Sequence, residues 1–235
     1  MNAPDQIVPV LAVDGPSGSG KGTICRRVAE QMNWRLLDSG ALYRLTAVAA
    51  GRHGVALDDG PALARLAEGL EVEFGADEGG GEQVLLEGRD VTGEIRSETC
   101  GNEASKVAAI PLVRAALVAL QHRFRRLPGL VADGRDMGTV IFPDATSKVF
   151  LTASPEARAQ RRYKQLIEKG FDANLVRLCT EIAERDERDR KREVSPLLAA
   201  DDALVLDTTA MNIDQVVQRV LEHLRACLAE SKRKY

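Results

Sequence analysis

The amino-acid sequence predicts an α/β protein: a five-stranded parallel sheet flanked by helices, a small antiparallel insert, and a helical, arginine-rich segment. Three observations carry this reading. The apolar run Val8 to Val13 leads into Gly15-Pro16-Ser17-Gly18-Ser19-Gly20-Lys21-Gly22-Thr23 and then into a helix-like segment from about Ile24 to Met32. Short apolar runs afterwards alternate with segments of helical period, which is the grammar of a parallel sheet. Between about 67 and 104 that alternation gives way to short strand-like pieces joined by glycine-rich turns, the grammar of an antiparallel meander.

In chain order, Arg35-Leu36-Leu37-Asp38 is the second strand candidate, and Ser39 can cap a helix that runs to about Arg52 and stops at Gly54. Asp58, Asp59 and Pro61 open a further helix with Leu63, Leu66 and Leu70 at helical spacing. Glu71 to Phe74, Gln83 to Glu87 and Arg89 to Ile95 read as three insert strands, with the acidic-glycine patch Asp77 to Glu82 as a loop. Helical pattern returns at Ser105. Pro111 starts a helix whose Leu112, Ala115, Ala116, Ala119 and Leu120 form an apolar stripe, ending before Pro128-Gly129. Leu130 to Ala132 and Lys148 to Leu151 are strands. Ser154-Pro155-Glu156 starts a helix to about Lys169, stopped by Gly170, and Asn174 to about Arg192 is the next. Leu204 to Leu206 is the fifth sheet strand. Asn212 to about Glu230 closes the chain as an amphipathic helix with Ile213, Val216, Val217, Val220, Leu221 and Leu224 on one face.

Composition narrows the function classes. With 235 residues, 44% hydrophobic and 29% charged, the chain can bury one sizeable core. A net charge of −3 argues against broad nucleic-acid or membrane binding, so clustered arginines call for a small anionic ligand. Cys25, Cys100, Cys179 and Cys227 form no CxxC pair, and His53, His122 and His223 show no ligand spacing, so free thiols are expected rather than disulfides or zinc. Met1 to Gln6 lack the regions of a signal peptide and no 18-residue apolar run occurs; a cytoplasmic location is expected.

The glycine stretch reads as a phosphate-binding loop. Its glycines let backbone N–H groups converge, and these donors, the positive end of the next helix and Lys21 can surround the β- and γ-phosphates of a nucleoside triphosphate. Asp14 and Thr23 stand where phosphate chemistry can use them. Gly22, not Ser or Thr, follows the lysine, so a hydroxyl arrives only at Thr23.

Three charged groups could serve a second substrate. Ser39 at a helix start with Arg44 a turn later can hold a phosphate, or Ser39 is a plain cap and Arg44 solvated. Arg135-Asp136 follows a strand end, where arginine suits a phosphate and the carboxylate an exocyclic amine, or the two form a surface ion pair. Arg158, Arg161, Arg162 and Lys164, then Arg185, Arg188, Arg190, Lys191 and Arg192, are a movable arginine lid or a solvated helix face; Asp189 at i+4 can orient Arg185.

The glycine loop, Asp38-Ser39-Gly40-Ala41-Leu42-Tyr43-Arg44, Ala132-Asp133-Gly134-Arg135-Asp136-Met137-Gly138-Thr139 and Glu184-Arg185-Asp186-Glu187-Arg188-Asp189-Arg190 together resemble bacterial cytidylate kinase, over nearly the whole chain. The resemblance implies a P-loop NTPase-type core at 1–66 and 105–235, a lid at about 154–192 and an inserted CMP-binding subdomain at 67–104. It implies that Gly15 to Thr23 with Arg161 and Arg162 bind ATP, and that Ser39, Tyr43, Arg44, Arg135 and Arg192 surround the phosphate of CMP. Arg185 and Asp189 would face its sugar, and Ser105, Arg114 and Asp136 would read the base. Lys21, Arg135, Arg185 and Arg192 would be the catalytic groups, with Mg²⁺ arriving on ATP and Thr23 its one candidate protein contact.

The expected reaction is transfer of the γ-phosphoryl group of ATP to CMP or dCMP, by a monomer with no nucleic-acid or membrane partner. The rival enzyme is a kinase for UMP or a small metabolite. The rival outside enzymes is a nucleotide-dependent switch; against it, no Asn-Lys-x-Asp motif occurs and Asp133 lacks a glycine at the third following place.

Overall fold

Strand β1 (Val10–Asp14) is buried along its whole length because a strand covered on both faces needs an unbroken apolar run, and Val10, Leu11, Ala12 and Val13 supply it. The computed structural model describes residues 8–76, 82–168, 170 and 172–233. It divides into two compact units, Met1–Asp38 with Arg123–Tyr235, and Ser39–His122. The patch read as a loop at Asp77 to Glu82 falls outside the described residues except for Glu82, as do Met1 to Gln6 and Lys169.

In the first unit, β1 lies at the middle of a five-stranded sheet with α1 (Lys21–Met32) and β2 (Arg35–Asp38) following it in the chain. The later strands are β6 (Leu130–Gly134), β7 (Ser147–Thr152) and β8 (Leu204–Asp207), and the order across the sheet is β2-β6-β1-β7-β8, every pairing parallel. All carboxyl ends therefore share one edge, and the order reverses around β1, which is where a ligand crevice forms in such sheets. On one face Leu11, Val13, Val131, Val149 and Leu151 pack with Ile24 and Val28 of α1 and with α8 (Ile213–Arg233). Helix α8 starts with a reciprocal cap: Asn212 Oδ1 accepts from the N–H of Gln215 at 2.9 Å and Gln215 Oε1 from that of Asn212 at 3.0 Å. Its buried line is Val216, Val217, Val220, Leu221 and Leu224; Ile213, expected on it, is 49% exposed because it sits in the first turn, ahead of the sheet contact.

Helices α6 (Pro155–Glu168) and α7 (Leu175–Arg190) form a hairpin between β7 and β8, each entered through a side-chain cap, Ser154 Oγ accepting from the N–H of Ala157 and Asn174 Oδ1 from that of Arg177. Helix α7 stops at Arg190 rather than near Arg192. Lys191 ends it with its N–H on Glu187 O, and the chain folds back so that Leu197 N–H meets Asp189 O at 2.9 Å. Helix α1 likewise begins at Lys21, not Ile24, so the lysine is its first residue.

The second unit holds α2 (Ser39–His53), α3 (Gly60–Glu68), strands β3 (Val72–Ala76), β4 (Glu82–Leu86) and β5 (Arg89–Asp90), and helices α4 (Glu98–Val107) and α5 (Pro111–His122). The three strands form an antiparallel sheet in chain order. The third is only two residues long, against the expected Arg89 to Ile95. Asp90 Oδ1 takes the N–H of Thr92 at 2.8 Å and Thr92 Oγ1 takes that of Val84 at 2.9 Å, so a side chain closes the ladder and the backbone turns into a 3₁₀ turn at Glu94–Arg96. Helix α4 starts well before Ser105, at Glu98, with Ser97 Oγ as its cap. The stripe assigned to α5 is out of phase: Leu112 is 52% exposed, and the buried line is Val113, Leu117 and Gln121, a helix apolar nearly all round having left its phase open.

Asp14 joins the end of β1 to the turn after β6. Its two carboxylate oxygens accept from the N–H groups of Met137 and Gly138, both at 2.8 Å, at the start of a π-helical turn Met137–Ile141. Burial raises its carboxyl to about 6, against the pull of those two N–H groups and of Lys21 and with a push from Asp136.

Two outcomes follow from this packing. Leu221→Ala should lower unfolding stability by about 2–5 kcal/mol in urea titrations, since it empties a fully enclosed site. Asp14 titrates near 3.8 when unfolded and near 6 when folded, so in that window the native state holds more protons and stability falls as pH rises. Measured from pH 4 to 7, the stability of wild type relative to Asp14→Asn should drop by roughly 2–4 kcal/mol; a pH-independent gap would contradict the raised carboxyl.

Candidate active site

The glycine loop can bend as it does only because its key positions carry no side chain. Gly15 has φ +147° and a Cβ there would lie 2.0 Å from Leu151 O, inside the atom itself. Gly20, at φ +92°, caps α1 in the left-handed region, with no side-chain bond to the helix and no acidic residue in the first turn. Neither the cap nor the first turn of α1 therefore puts a side-chain acceptor or an acid on the helix start, which suits an anion site there.

Lys21 is 5% exposed and its Nζ donates to Pro16 O at 2.9 Å, across the loop. Burial pushes its pKa below the usual lysine value and Arg135 adds to that, while Asp133 opposes. Asp133, the β6 residue in register with Val13 and Asp38, has its carboxyl raised by burial, with Lys21 opposing and Asp38 adding.

Beyond β6, Arg135 Nε donates to Asp189 Oδ2 at 2.9 Å, and Arg192 Nη2 donates to Asp189 Oδ1. One buried carboxylate of α7 thereby gathers two of the expected phosphate-binding arginines. Burial disfavours its charge, but Arg135, Arg192 and Arg185 outweigh that and hold it below its usual pKa. Arg135 gains correspondingly: burial opposes its charge, and Asp189 more than restores it. Asp136 is buried at the start of the π-helical turn.

Of the two arginines expected at ATP, Arg161 reaches the loop: Nη1 donates to Thr208 Oγ1 at 3.0 Å and Ser19 O at 3.4 Å, and Nη2 to Thr208 O. Arg162 Nη1 donates to Gln165 Oε1 at 2.6 Å, one turn along α6. Arg185 lies in α7 one turn before Asp189.

The second unit carries the remaining residues. Ser39 is buried as the first residue of α2 and Ser105 is buried on α4. Arg44 Nη1 donates to Ile95 O at 2.6 Å and Ser97 O at 3.3 Å. Arg114 stacks over the Tyr43 ring, 5.6 Å to its centroid, and donates to Ala108 O at 3.1 Å.

Among the described residues no group of three or more His, Cys, Asp or Glu could hold a metal ion by itself. Thr23 offers an exposed hydroxyl in the first turn of α1.

Sequence reasoning missed Thr208 as the partner of Arg161, placed Arg158 only among the lid arginines, and left Asp186 without a role. Arg158 and Asp186 are 28 residues apart, so only the α6–α7 hairpin brings them together. A conspicuous signal did exist for Thr208, which follows the carboxyl end of the fifth strand, where polar residues enter the crevice.

The model of the family described as cytidylate kinase matches residues 11–226. A cytidylate kinase of Aeromonas salmonicida (strain A449) is 58% identical over 228 residues, 96% of this chain and 98% of its own. One of Serratia proteamaculans (strain 568) is 58% identical over 221 residues, 94% of this chain and 96% of its own. Among solved structures, a gluconokinase from Sinorhizobium meliloti 1021 aligns over 98% of this chain and 99% of its own at 17% identity and TM-score 0.49, too distant to carry an argument. The match spans both units and every motif around the glycine loop, and the chain belongs to the cytidylate kinase family.

Proposed function

We propose that the chain transfers the γ-phosphoryl group of ATP to CMP or dCMP, giving ADP and CDP or dCDP. The observation that carries the reading is Asp189 holding Arg135 and Arg192 together in the unit that also holds the glycine loop and Lys21. Two guanidinium groups on one carboxylate are a preformed site for a second, more highly charged anion. The reading includes a core at 1–66 and 105–235, an inserted CMP-binding subdomain at 67–104, a lid at about 154–192, and the cytoplasmic, monomeric state expected from the sequence.

In this mechanism the loop N–H groups and the start of α1 cradle the ATP phosphates, and Lys21 follows the charge on the β- and γ-phosphates. Arg161 and Arg162 act on the ATP side. Ser39, Tyr43 and Arg44 hold the CMP phosphate together with Arg135 and Arg192. Arg185 and Asp189 face the sugar, and Ser105, Arg114 and Asp136 read cytosine, whose N4 amine needs an acceptor and whose N3 and O2 need donors. Mg²⁺ arriving with ATP, for which Thr23 would be the candidate protein contact, would supply neutralising charge at the transferring group.

The acceptor is a phosphate with a second pKa of about 6, already anionic at neutral pH, so no strong base is needed. Catalysis is positioning plus neutralisation of crowded negative charge by Lys21, Arg135, Arg185 and Arg192.

Purified protein assayed with ATP and a panel of CMP, dCMP, UMP, AMP and dTMP should turn over CMP or dCMP best; a preference for another acceptor would overturn the assignment. Lys21→Ala should lower kcat by about a hundred- to a thousandfold in a protein that still folds, and near-normal turnover would remove Lys21 from the mechanism. Asp136→Ala should raise KM for CMP by about ten- to a hundredfold while leaving KM for ATP nearly unmoved; equal effects on both would contradict base reading.

A further inference from the structure

Arg158, near the start of α6, is 2% exposed, and Asp186, on α7, is 4% exposed. Their contact is bidentate: Arg158 Nη1 to Asp186 Oδ1 at 3.0 Å and Nη2 to Oδ2 at 2.5 Å. The same guanidinium donates from Nε to Ala153 O at 3.0 Å, just past the end of β7, and from Nη1 to Ser17 O at 3.0 Å, in the glycine loop. One buried side chain therefore ties a strand end, the phosphate loop and α7.

Such a pair is a poor device for stability alone, because desolvating both charges offsets most of their attraction, and apolar residues of similar volume commonly do as well or better. What apolar residues cannot do is hold the Ser17 carbonyl. The Ser17–Gly18 peptide is trans and planar, so a carbonyl drawn toward Arg158 turns the N–H of Gly18 to the opposite side, away from α6. The Gly18 backbone lies directly against Arg158: a Cβ on Gly18 would come within 3.2 Å of Arg158 Cβ. Arg161, three residues on, holds Ser19 O in the same way at 3.4 Å, which turns the N–H of Gly20. Two arginines on one face of α6 thus set the direction of two loop N–H groups.

Asp186 extends the bracket. It lies on the buried line of α7, Leu178, Ile182, Asp186 and Asp189, and Asp189 three residues later holds Arg135 and Arg192. Two carboxylates of one helix stripe therefore grip the α6 arginine that holds the phosphate loop and the arginines assigned to the acceptor.

We infer that Arg158 and Asp186 are a positioning pair for phosphoryl transfer: Arg158 aims the Ser17–Gly18 peptide at the ATP phosphates, and Asp186 holds Arg158 in place and links the loop to the helix that carries Asp189. The inference rests on the kinase reading above, and neither residue is assigned contact with substrate.

The test compares wild type, Asp186→Asn and the double variant Arg158→Met with Asp186→Leu. Three readouts are taken: thermal midpoint, binding of a fluorescent ATP analogue without acceptor, and steady-state rates with ATP and CMP. The double variant should melt within a few degrees of wild type or higher. It should nevertheless bind the ATP analogue about tenfold more weakly and lose about ten- to a hundredfold in kcat, with KM for CMP moved far less. Asp186→Asn, which keeps the shape and removes the charge, should show the same pattern to a smaller extent. The binding arm needs no acceptor, so if wild type fails to phosphorylate CMP the functional reading fails while this proposal is still decided. Unchanged ATP binding and kcat in a stable double variant would overturn it, and so would loss of the folded state in both variants, which would make the pair a structural staple.

Discussion

A pocket built to receive two polyanions has to store positive charge before they arrive, and in a buried place that charge repels itself. Two like unit charges about 4 Å apart cost roughly 4 kcal/mol at an effective dielectric near 20. Here the repulsion is felt directly: Arg135 is the second cause, after burial, of the depressed pKa of Lys21. Around the glycine loop the protein answers four of these cations with carboxylates. Asp189 of α7 serves Arg135 and Arg192, Asp186 serves Arg158, and Asp133 of β6 opposes the depression of Lys21. At Arg135 the Asp189 carboxylate holds the guanidinium in place, and a phosphate is a stronger partner that can share it.

The sheet is what makes this arrangement inexpensive in chain length. Parallel pairing puts Asp14, Asp38 and Gly134 at one edge, with Asp133 in register with both Val13 and Asp38. The glycine loop leaves β1 at that edge and Arg135 leaves β6 beside it. Asp14 then fixes the second exit to the first by accepting the N–H groups of Met137 and Gly138. Those two bonds add to the tie that Arg135 makes to Asp189, so the turn is held from β1 as well as from α7.

Much of this was legible in the sequence because it is local. A glycine loop between an apolar strand and a helix, Ser and Asn caps, and helical apolar lines in α8 are written within a few residues of one another. Where the reading slipped, a nonlocal or degenerate cause is visible. Helix α5 is apolar on several sides, so period alone chose Leu112 when packing chose Val113 and Leu117. The third insert strand is cut short by Thr92, whose hydroxyl takes a bond that the pattern would give to backbone. At the site the same division holds. Lys21, Arg135 and Asp136 stand in recognisable strings, whereas Arg158 is one arginine among many until the α6–α7 hairpin sets it on Asp186. Charge-rich helix faces look alike in sequence; burial is what separates a solvated arginine from a fixed one.

The glycine after the lysine now has a physical setting. A Cβ at Gly22 would lie 3.6 Å from Asp133 Oδ2, ordinary contact, so space does not demand glycine there. Its effect is chemical. A serine at this place would set a hydroxyl donor beside Asp133, and a hydrogen bond to that carboxylate would lower its pKa and divide its attention between the hydroxyl and Lys21. With glycine, position 22 offers Asp133 no such donor, and Lys21 is the largest influence opposing the rise that burial imposes on the carboxyl. The hydroxyl appears instead at Thr23, about 100° further round α1 and exposed. The hydroxyl of the first turn thus lies on the open side of α1, and the residue beside Asp133 adds no donor to the charges of Lys21 and Arg135 that already act on that carboxylate.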